Sequence, residues 1–330
     1  TIEEKGVRFV RLWFTDVVGQ LKSVAIAPAE LEQAFDDGIG FDGSSIQGLT
    51  RVYEDDMLMV PDAATFALLP QRVEEFPSAR MICDIQTRDR ESVRSDPRSI
   101  LKRSLDKAAD MGFTCYIHPE VEFYLFHPES DPNKEPVPID TGSYFDHVSR
   151  SVAQDFRQAA VLALEDMGIS VEFSHHETGP GQNEIDLRYT DALTMADNVM
   201  TMRTIVGNIA IQRRVHASFM PKPLIAHPGS GMHTHISLFE GERSAFHDPT
   251  GTPFPGRSAP PRRRDHRRHL PVRQFLQARV GRGRGAGLRV LGAEQPVRAR
   301  PSARLQCGEA AERPAGVPRP GLRGQPLPGV

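Results

Sequence analysis

Apolar and polar residues alternate along residues 7–14, Asp16-Val17-Val18-Gly19-Gln20 follows as a turn, and residues 21–26 run on as a second strand-like segment. Period-two alternation followed by a glycine-bearing turn and a second such segment predicts two antiparallel strands opening a small β-rich unit. Residues 28–35, with Pro28 at the start and Asp36-Asp37-Gly38 at the end, predict a short helix, followed by a loop over 40–45. Further strands are expected at 57–60 and 81–85. Ser95-Asp96-Pro97 opens a helix with Ile100, Leu101, Leu105 and Ala108 on one face, and the domain boundary is placed there. Beyond it come a strand at 115–126, an amphipathic helix at 152–167 stopped by Gly168, and strands at 171–173 and 184–187 around Gly179-Pro180-Gly181. A long helix over 191–215 carries Leu193, Val199, Met202, Val206, Ile209 and Ile211, and the last clear strand is 233–239. Helices and strands alternate without the period of a doubly wound sheet, so the fold class is α+β.

The periodicity stops at about residue 250. No lysine follows Lys222, and residues 251–330 are dominated by arginine, proline, glycine and alanine. Its arginines have only Asp265, Glu294, Glu309 and Glu312 as local acidic partners, so this stretch is expected to be poorly packed. Runs such as Pro260-Pro261-Arg262-Arg263-Arg264 could serve RNA, but the aromatic residues that stack bases are almost absent, and a nucleic-acid partner is not expected.

Bulk composition narrows the classes. A chain of 330 residues with net charge −3 and 39% hydrophobic residues is an ordinary globular sequence. No apolar run reaches the ~20 residues of a membrane span, and no signal-peptide pattern opens the chain, so a cytoplasmic location is expected. Cys83, Cys115 and Cys307 are isolated and form no C-x-x-C pair.

The chemistry is concentrated in alternating polar residues. In a strand, residues two apart share a face, so Glu120 and Glu122 project together with Val121 turned away, and His233 and His235 project together with Thr234 turned away. Glu177 and Glu184 flank a turn. Such carboxylates converging on one place repel one another unless cations sit among them. The set is oxygen-rich and free of thiolate, which suits Mg²⁺ or Mn²⁺ better than zinc. An E-x-E strand alone is more often a solvated acidic face. His175 and His176 read more often as structural than catalytic, Gly43 and Gly48 as turn residues, and Asp56 as one acid in a solvated run, Glu54-Asp55-Asp56.

Five ordered motifs resemble the class I glutamine synthetase family. They are Phe14-Thr15-Asp16 through Gly19-Gln20-Leu21-Lys22, Phe41-Asp42-Gly43-Ser44-Ser45-Ile46, Pro119-Glu120-Val121-Glu122-Phe123, Gly181-Gln182-Asn183-Glu184 and Gly229-Ser230-Gly231-Met232-His233. The resemblance covers residues 1–249. It implies a β-grasp-like domain over 1–94 and a catalytic domain with a curved antiparallel sheet over 95–250. It also implies ATP-dependent ligation of ammonia to glutamate through γ-glutamyl phosphate, with two or more Mg²⁺ or Mn²⁺ ions per site. By resemblance Glu122, Glu177 and Glu184 hold the ion nearer glutamate, and Glu120 and His233 the ion on the ATP phosphates. His235 contacts phosphate, Ser237 the nucleotide, and the Gly229 backbone the glutamate. Asp42 takes a proton from ammonium, secured by Ser45, in a loop that reaches a neighbouring subunit of a ring-type dodecamer.

Two departures keep alternatives open. Pro228 stands where many members have Asn, which leaves a polyamine-type acceptor in play. The arginine-bearing Asn-Arg-Ser-Ala motif of the family's second half is absent, which leaves an inactive metal- or nucleotide-binding remnant in play. Synonymous codons for residues 289–303, displaced by one base, can encode Asn-Asn-Arg-Ser-Ala. The expectation is a frameshift between Asp248 and Arg264, with the rest out of frame.

Overall fold

A computed structural model describes residues 2–46, 56–70, 76–128, 134–147 and 151–246, and the backbone of 288–290. Thr1–Ala293 group as one compact unit. The second unit, Glu294–Val330, lies outside the described residues, as do Gly48, Glu54, Asp55, Cys307 and the proposed frameshift point.

The chain begins with the predicted hairpin. Strands β1 (Phe9–Thr15) and β2 (Leu21–Ile26) pair antiparallel. Asp16 shapes the turn, its Oδ1 accepting from the backbone of Val18 at 3.1 Å and Gln20 at 2.8 Å. A 3-10 turn (Pro28–Glu30) runs into helix α1 (Leu31–Asp36). The segment expected to be wholly loop instead starts as strand β3 (Ile39–Phe41), because its backbone pairs with β4 (Met57–Pro61). Strands β5 (Ala67–Leu68) and β6 (Ser78–Gln86) complete a six-stranded sheet of order β2-β1-β6-β4-β3, with β5 on β6. Val10, Leu12 and Phe14 bury one face of β1 with Met81, Cys83 and Ile85, while Trp13 packs on the other with Leu69 and Ile82.

Helix α2 (Pro97–Asp110) starts where the sequence placed it. Pro97 occupies the first turn, and Asp96 caps it by accepting from Ser99 N at 2.8 Å. Then follow β7 (Thr114–Phe126), α3 (Val152–Glu165), β8 (Val171–His176), β9 (Gln182–Leu187), β10 (Thr190–Asp191), α4 (Ala192–Gln212), β11 (His216–Ser218), β12 (Met232–Glu240), β13 (Arg243–Ser244) and β14 (Leu288–Val290). The resulting eight-stranded sheet has the order β13-β12-β7-β9-β8, with β10 and β11 on β7 and β14 on β12. The strands β5, β10, β11 and β13 were not expected, each being two or three residues too short to carry a period. Helix α4 is also shorter than predicted, since Arg214 adopts a φ of 55° and turns the chain into β11. Ile211, assigned to its apolar face, is 75% exposed, whereas Met202, Val206 and Ile209 are buried.

Of residues 251–330, only β14 is described. It lies parallel to β12, with Leu288 opposite Thr234.

The two sheets meet through α2. Arg98 is buried and donates to Asp84 at 2.6 Å and Asp62 at 2.7 Å on the first-sheet side, and to Asp197 of α4 at 3.1 Å. Burial disfavours its charge, but hydrogen bonds and Coulombic attraction from Asp197, Asp62 and Asp84 win and raise its pKa.

Candidate metal centre

Register determines which side chains share a face. Within β7 and its neighbours, His233 pairs with Glu120, His235 with His118, Glu184 with Glu122 and Asp186 with Glu120. Across the next ladder His175 pairs with Glu184. Directly opposed residues in a sheet point the same way, so His118, Glu120, Glu122, Glu184, Asp186, His175, His233 and His235 form one polar face. The alternate residues Val121, Phe123, Leu125, Ile185 and Leu187 face the other way into a core with α3 and α4. Burial of that core makes the register costly to slip, and so holds the polar face in place.

Glu120 lies at the centre. His233 Nδ1 is 2.9 Å from its Oε2 and His235 Nε2 is 2.5 Å from its Oε1. Burial pushes its pKa up, but the hydrogen bonds from His235 and His233 outweigh this and hold it below the ordinary carboxylate range. The neighbouring acids shift oppositely. Glu184 is raised, first by burial and then by Asp186 and Glu177; Asp186 is raised by burial; Glu122 is raised by burial and by Glu177. Three carboxyls held above their ordinary range beside one held below it mark a face short of positive charge.

Among the described residues, two sets place one ligand atom each within 4.8 Å of one another: Glu120, Glu184 and His233, and His175, Glu184 and Asp186. Three buried atoms on this face have no hydrogen-bond partner, namely Asp186 Oδ1, His118 Nε2 and His235 Nδ1. Oxygen-rich triads with one imidazole each, and orphaned ligand atoms beside them, fit a hard divalent cation.

The other expected residues sit around these triads. Glu122 Oε2 accepts from Gln182 Nε2 at 2.8 Å, and Gly231 leaves room beside it, since a Cβ there would lie 3.5 Å from Glu122 Oε1 and 3.4 Å from His233 Nε2. Glu177 follows β8, with Oε2 turned to Thr178 N at 2.8 Å and Oε1 3.9 Å from His175 Nδ1, so it borders the triads without joining either. Gly229 is constrained by packing, because a Cβ would meet the Pro221 carbonyl at 2.6 Å; its own carbonyl accepts from Gln182 at 3.1 Å. Pro228 contributes a carbonyl that accepts from the Tyr124 hydroxyl at 2.7 Å. Ser237 lies one alternation beyond His235 on β12, opposite Tyr116.

Asp42 belongs to the other sheet, just after β3. Its carboxylate accepts from Ser44 Oγ at 2.6 Å, Ser44 N at 2.9 Å and Ser45 Oγ at 2.7 Å. These bonds, Ser44's first, hold its pKa below the ordinary value. Asp56 forms an exposed ion pair with Arg88 at 2.7 Å.

His175 belongs to the polar face, stacking edge-on with Phe145 and lying 3.8 Å from Glu184 Oε2, which makes the expectation of a structural role too narrow for it. His176 points to the opposite side and is structural. Its Nδ1 faces the Glu177 carbonyl at 2.6 Å and its Nε2 faces Asp140 Oδ1 at 2.9 Å. A carbonyl can only accept, and a carboxylate accepts when ionised, so both ring nitrogens carry protons. The His176 pKa is accordingly raised, Asp140 overcoming the effect of burial, and that of Asp140 is lowered. Asp140 also accepts from Gly181 N at 2.8 Å, and Gly181, at φ 68°, has no space for a side chain because the Leu125 carbonyl would be 2.7 Å away. The pair thus holds the turn between Glu177 and Glu184. Its contribution is complete above the ordinary Asp value of 3.8 and below the ordinary His value of 6.5, and declines as pH falls through the Asp140 pKa or rises through the His176 pKa. Asp140→Asn should lower stability by about 1–3 kcal/mol and flatten this profile in denaturant unfolding; an unchanged profile would contradict the pairing.

Comparisons with known proteins agree with this architecture. Residues 6–88 match the family profile described as the β-grasp domain of glutamine synthetase, and 94–256 that described as its catalytic domain. A glutamine synthetase of Mycolicibacterium smegmatis is 59% identical over 251 residues, covering 76% of this chain and 56% of the relative. One of Thermotoga maritima is 46% identical over 250 residues, covering 75% and 56%. The Plasmodium falciparum glutamine synthetase structure superposes with a TM-score of 0.68 at 24% identity, covering 74% of this chain and 53% of that one, a likeness of fold. The GmaS/ADP complex superposes at 0.67 with 27% identity, covering 75% and 57%. The chain belongs to the glutamine synthetase family, with an α+β fold whose first domain is a β-grasp. It spans about half the length of the curated relatives it matches, 56% of each of these two. Among the described residues, no helix is long and apolar enough to cross a membrane.

Proposed function

We propose that the polar face is the cation- and phosphate-handling part of a glutamate–ammonia ligase, with the domain boundary near residue 94. The observation that carries this reading is the convergence of Glu120, Glu184 and His233, from three adjacent strands, within 4.8 Å. In this reading the γ-carboxylate of glutamate attacks the γ-phosphorus of ATP and ADP leaves. Ammonia then attacks the acyl carbon of γ-glutamyl phosphate, and phosphate leaves. Two or more Mg²⁺ or Mn²⁺ ions would neutralise and align the phosphoryl oxygens when bound.

Glu122, Glu177 and Glu184 would hold the ion nearer glutamate, and Glu120 and His233 the ion on the ATP phosphates, with Glu184 lying between the two groups because it also falls within the Glu120–His233 triad. His235 and Ser237 continue along β12 toward phosphate and nucleotide, and the Gly229 backbone lies toward glutamate. Asp42, a carboxylate whose pKa the Ser44 and Ser45 hydrogen bonds hold below its ordinary value, suits capture of ammonium and acceptance of its proton. Its place on the other sheet fits service to a neighbouring copy in a ring-type dodecamer. The names of the relatives favour ammonia as acceptor over a polyamine. A chimera joining residues 1–246 to the remainder of the M. smegmatis relative should release phosphate with glutamate and ammonium; preference for a polyamine would overturn the assignment.

The 330-residue chain itself should form no glutamine. Its residues 251–330 contain no Asn-Arg-Ser-Ala motif, and loss of charge stabilisation at a transferring phosphoryl group costs on the order of several kcal/mol. We read that stretch as out of frame. An encoding DNA whose shifted frame lacks Asn-Asn-Arg-Ser-Ala would refute this, as glutamine formation by the chain would refute its inactivity.

A further inference from the structure

We propose that a cavity behind the polar face binds a small, uncharged, apolar molecule. The cavity has a volume of about 320 Å³ and lies where the β1–β2 hairpin, α2 and α4 meet the reverse side of β7 and β12. Phe14, Leu21, Leu101, Ile117, Met195 and Val199 supply much of its wall. Pro119 and Thr234, which oppose each other in the β7–β12 ladder, form part of its floor. Each lies one residue from a triad member, Glu120 or His233, so strand alternation turns it away from the cation face. The cavity is therefore distinct from the candidate metal centre and independent of the function proposed for it.

Its chemistry selects the guest. The two charged groups in the wall, Arg98 and Asp197, are already committed to each other, and Arg98 also to Asp62 and Asp84. They offer a guest no unpaired charge. Cys83, also in the wall, remains a neutral thiol, burial raising its pKa to about 12. Little else in the lining can bond to water, which needs two to four polar partners to be well held. A charged guest would lose its hydration without compensation, whereas an apolar one gains burial. A cavity of roughly 150 Å³ suffices for benzene, so this one has room for a bicyclic aromatic of about ten heavy atoms. Ala196 both lines the cavity and is exposed, and so marks an opening through which a guest can enter.

The test uses the full chain carrying ¹³C-methyl methionine, with indole as probe and benzoate as its charged counterpart. Met195, in the cavity wall and 1% exposed, should show a saturable shift with indole and none with benzoate, while Met57 and Met59, in the core of the first sheet, stay unmoved. Ala196→Phe, at an exposed position where folding is not at stake, should weaken indole binding by about tenfold or more, equivalent to about 1.4 kcal/mol. Val199→Phe, which fills the cavity from α4, provides a second variant with the same expected loss. A Met195 signal unmoved up to the solubility limit of indole would overturn the proposal. So would an equal response to benzoate, or unchanged affinity in either folded variant.

Discussion

Replacing Arg98 with methionine should lower the unfolding free energy by about 3–5 kcal/mol, the range expected when one partner of a buried ionic cluster is removed. Three carboxylates converge on this guanidinium, and Asp197 is 9% exposed. Lys102 bonds to Asp84 at 2.5 Å, while Asp62 and Asp197 would lose the guanidinium hydrogen-bonded to them and keep the longer-range attraction of Lys102 and Arg80, respectively. Burial already raises the Asp197 pKa despite Arg98, and without the arginine that carboxyl would have to protonate or draw in water. Arg98→Lys should recover only part of the loss, because one ammonium cannot reproduce the planar fork that serves three acids. Denaturant unfolding at neutral pH reads the effect directly. A loss below about 1 kcal/mol, the scale of exposed pairs, would show that the two sheets are joined by apolar packing alone.

The second large effect is a pH slope that divalent cations abolish. The Glu184 carboxyl is pushed from an ordinary 4.5 up to about 9, first by burial and then by Asp186 and Glu177. Between those values the folded chain holds a proton that the unfolded chain has released. The cation-free protein should therefore lose stability progressively as pH rises through that window. Bound Mn²⁺ takes the place of that proton, and at a hundred times its dissociation constant it adds about 2.7 kcal/mol. Unfolding curves with chelator should slope downward with pH and those with Mn²⁺ should not, and Glu184→Gln should flatten the chelator curve. A chelator curve that rises with pH would contradict this account of the face.

Most of the fold was legible because its elements announce themselves locally. Asp96-Pro97 and Gly168 mark a helix start and a helix end, and alternation marks β1, β7 and β12. The short strands β10 and β11 were not legible, since their pairing to β7 is long-range and leaves no periodic trace in two or three residues. The same limit affected the site. Glu120, Glu122 and His233 could be found by alternation and Glu184 by its place beside a turn, but one further step along each strand would have added His118 before Glu120 and Asp186 after Glu184. His175 and His176 read alike in the sequence, each as more often structural than catalytic. Opposite faces of one strand separate the two, and only the β8–β9 register reveals which of them meets Glu184. That Gly229 is required by the Pro221 carbonyl is likewise a tertiary fact, visible in no motif.

The most direct test of the central claim is Mn²⁺ binding to the 330-residue chain, followed by the loss of the free-ion electron paramagnetic resonance signal without nucleotide or glutamate. The account predicts saturable binding that weakens by about tenfold or more in each of Glu120→Gln, Glu184→Gln and His233→Gln, and that is unaltered in Asp56→Asn, whose carboxylate pairs with Arg88 at the surface. Equal affinity in all four variants, or no saturable binding by the folded chain, would contradict it.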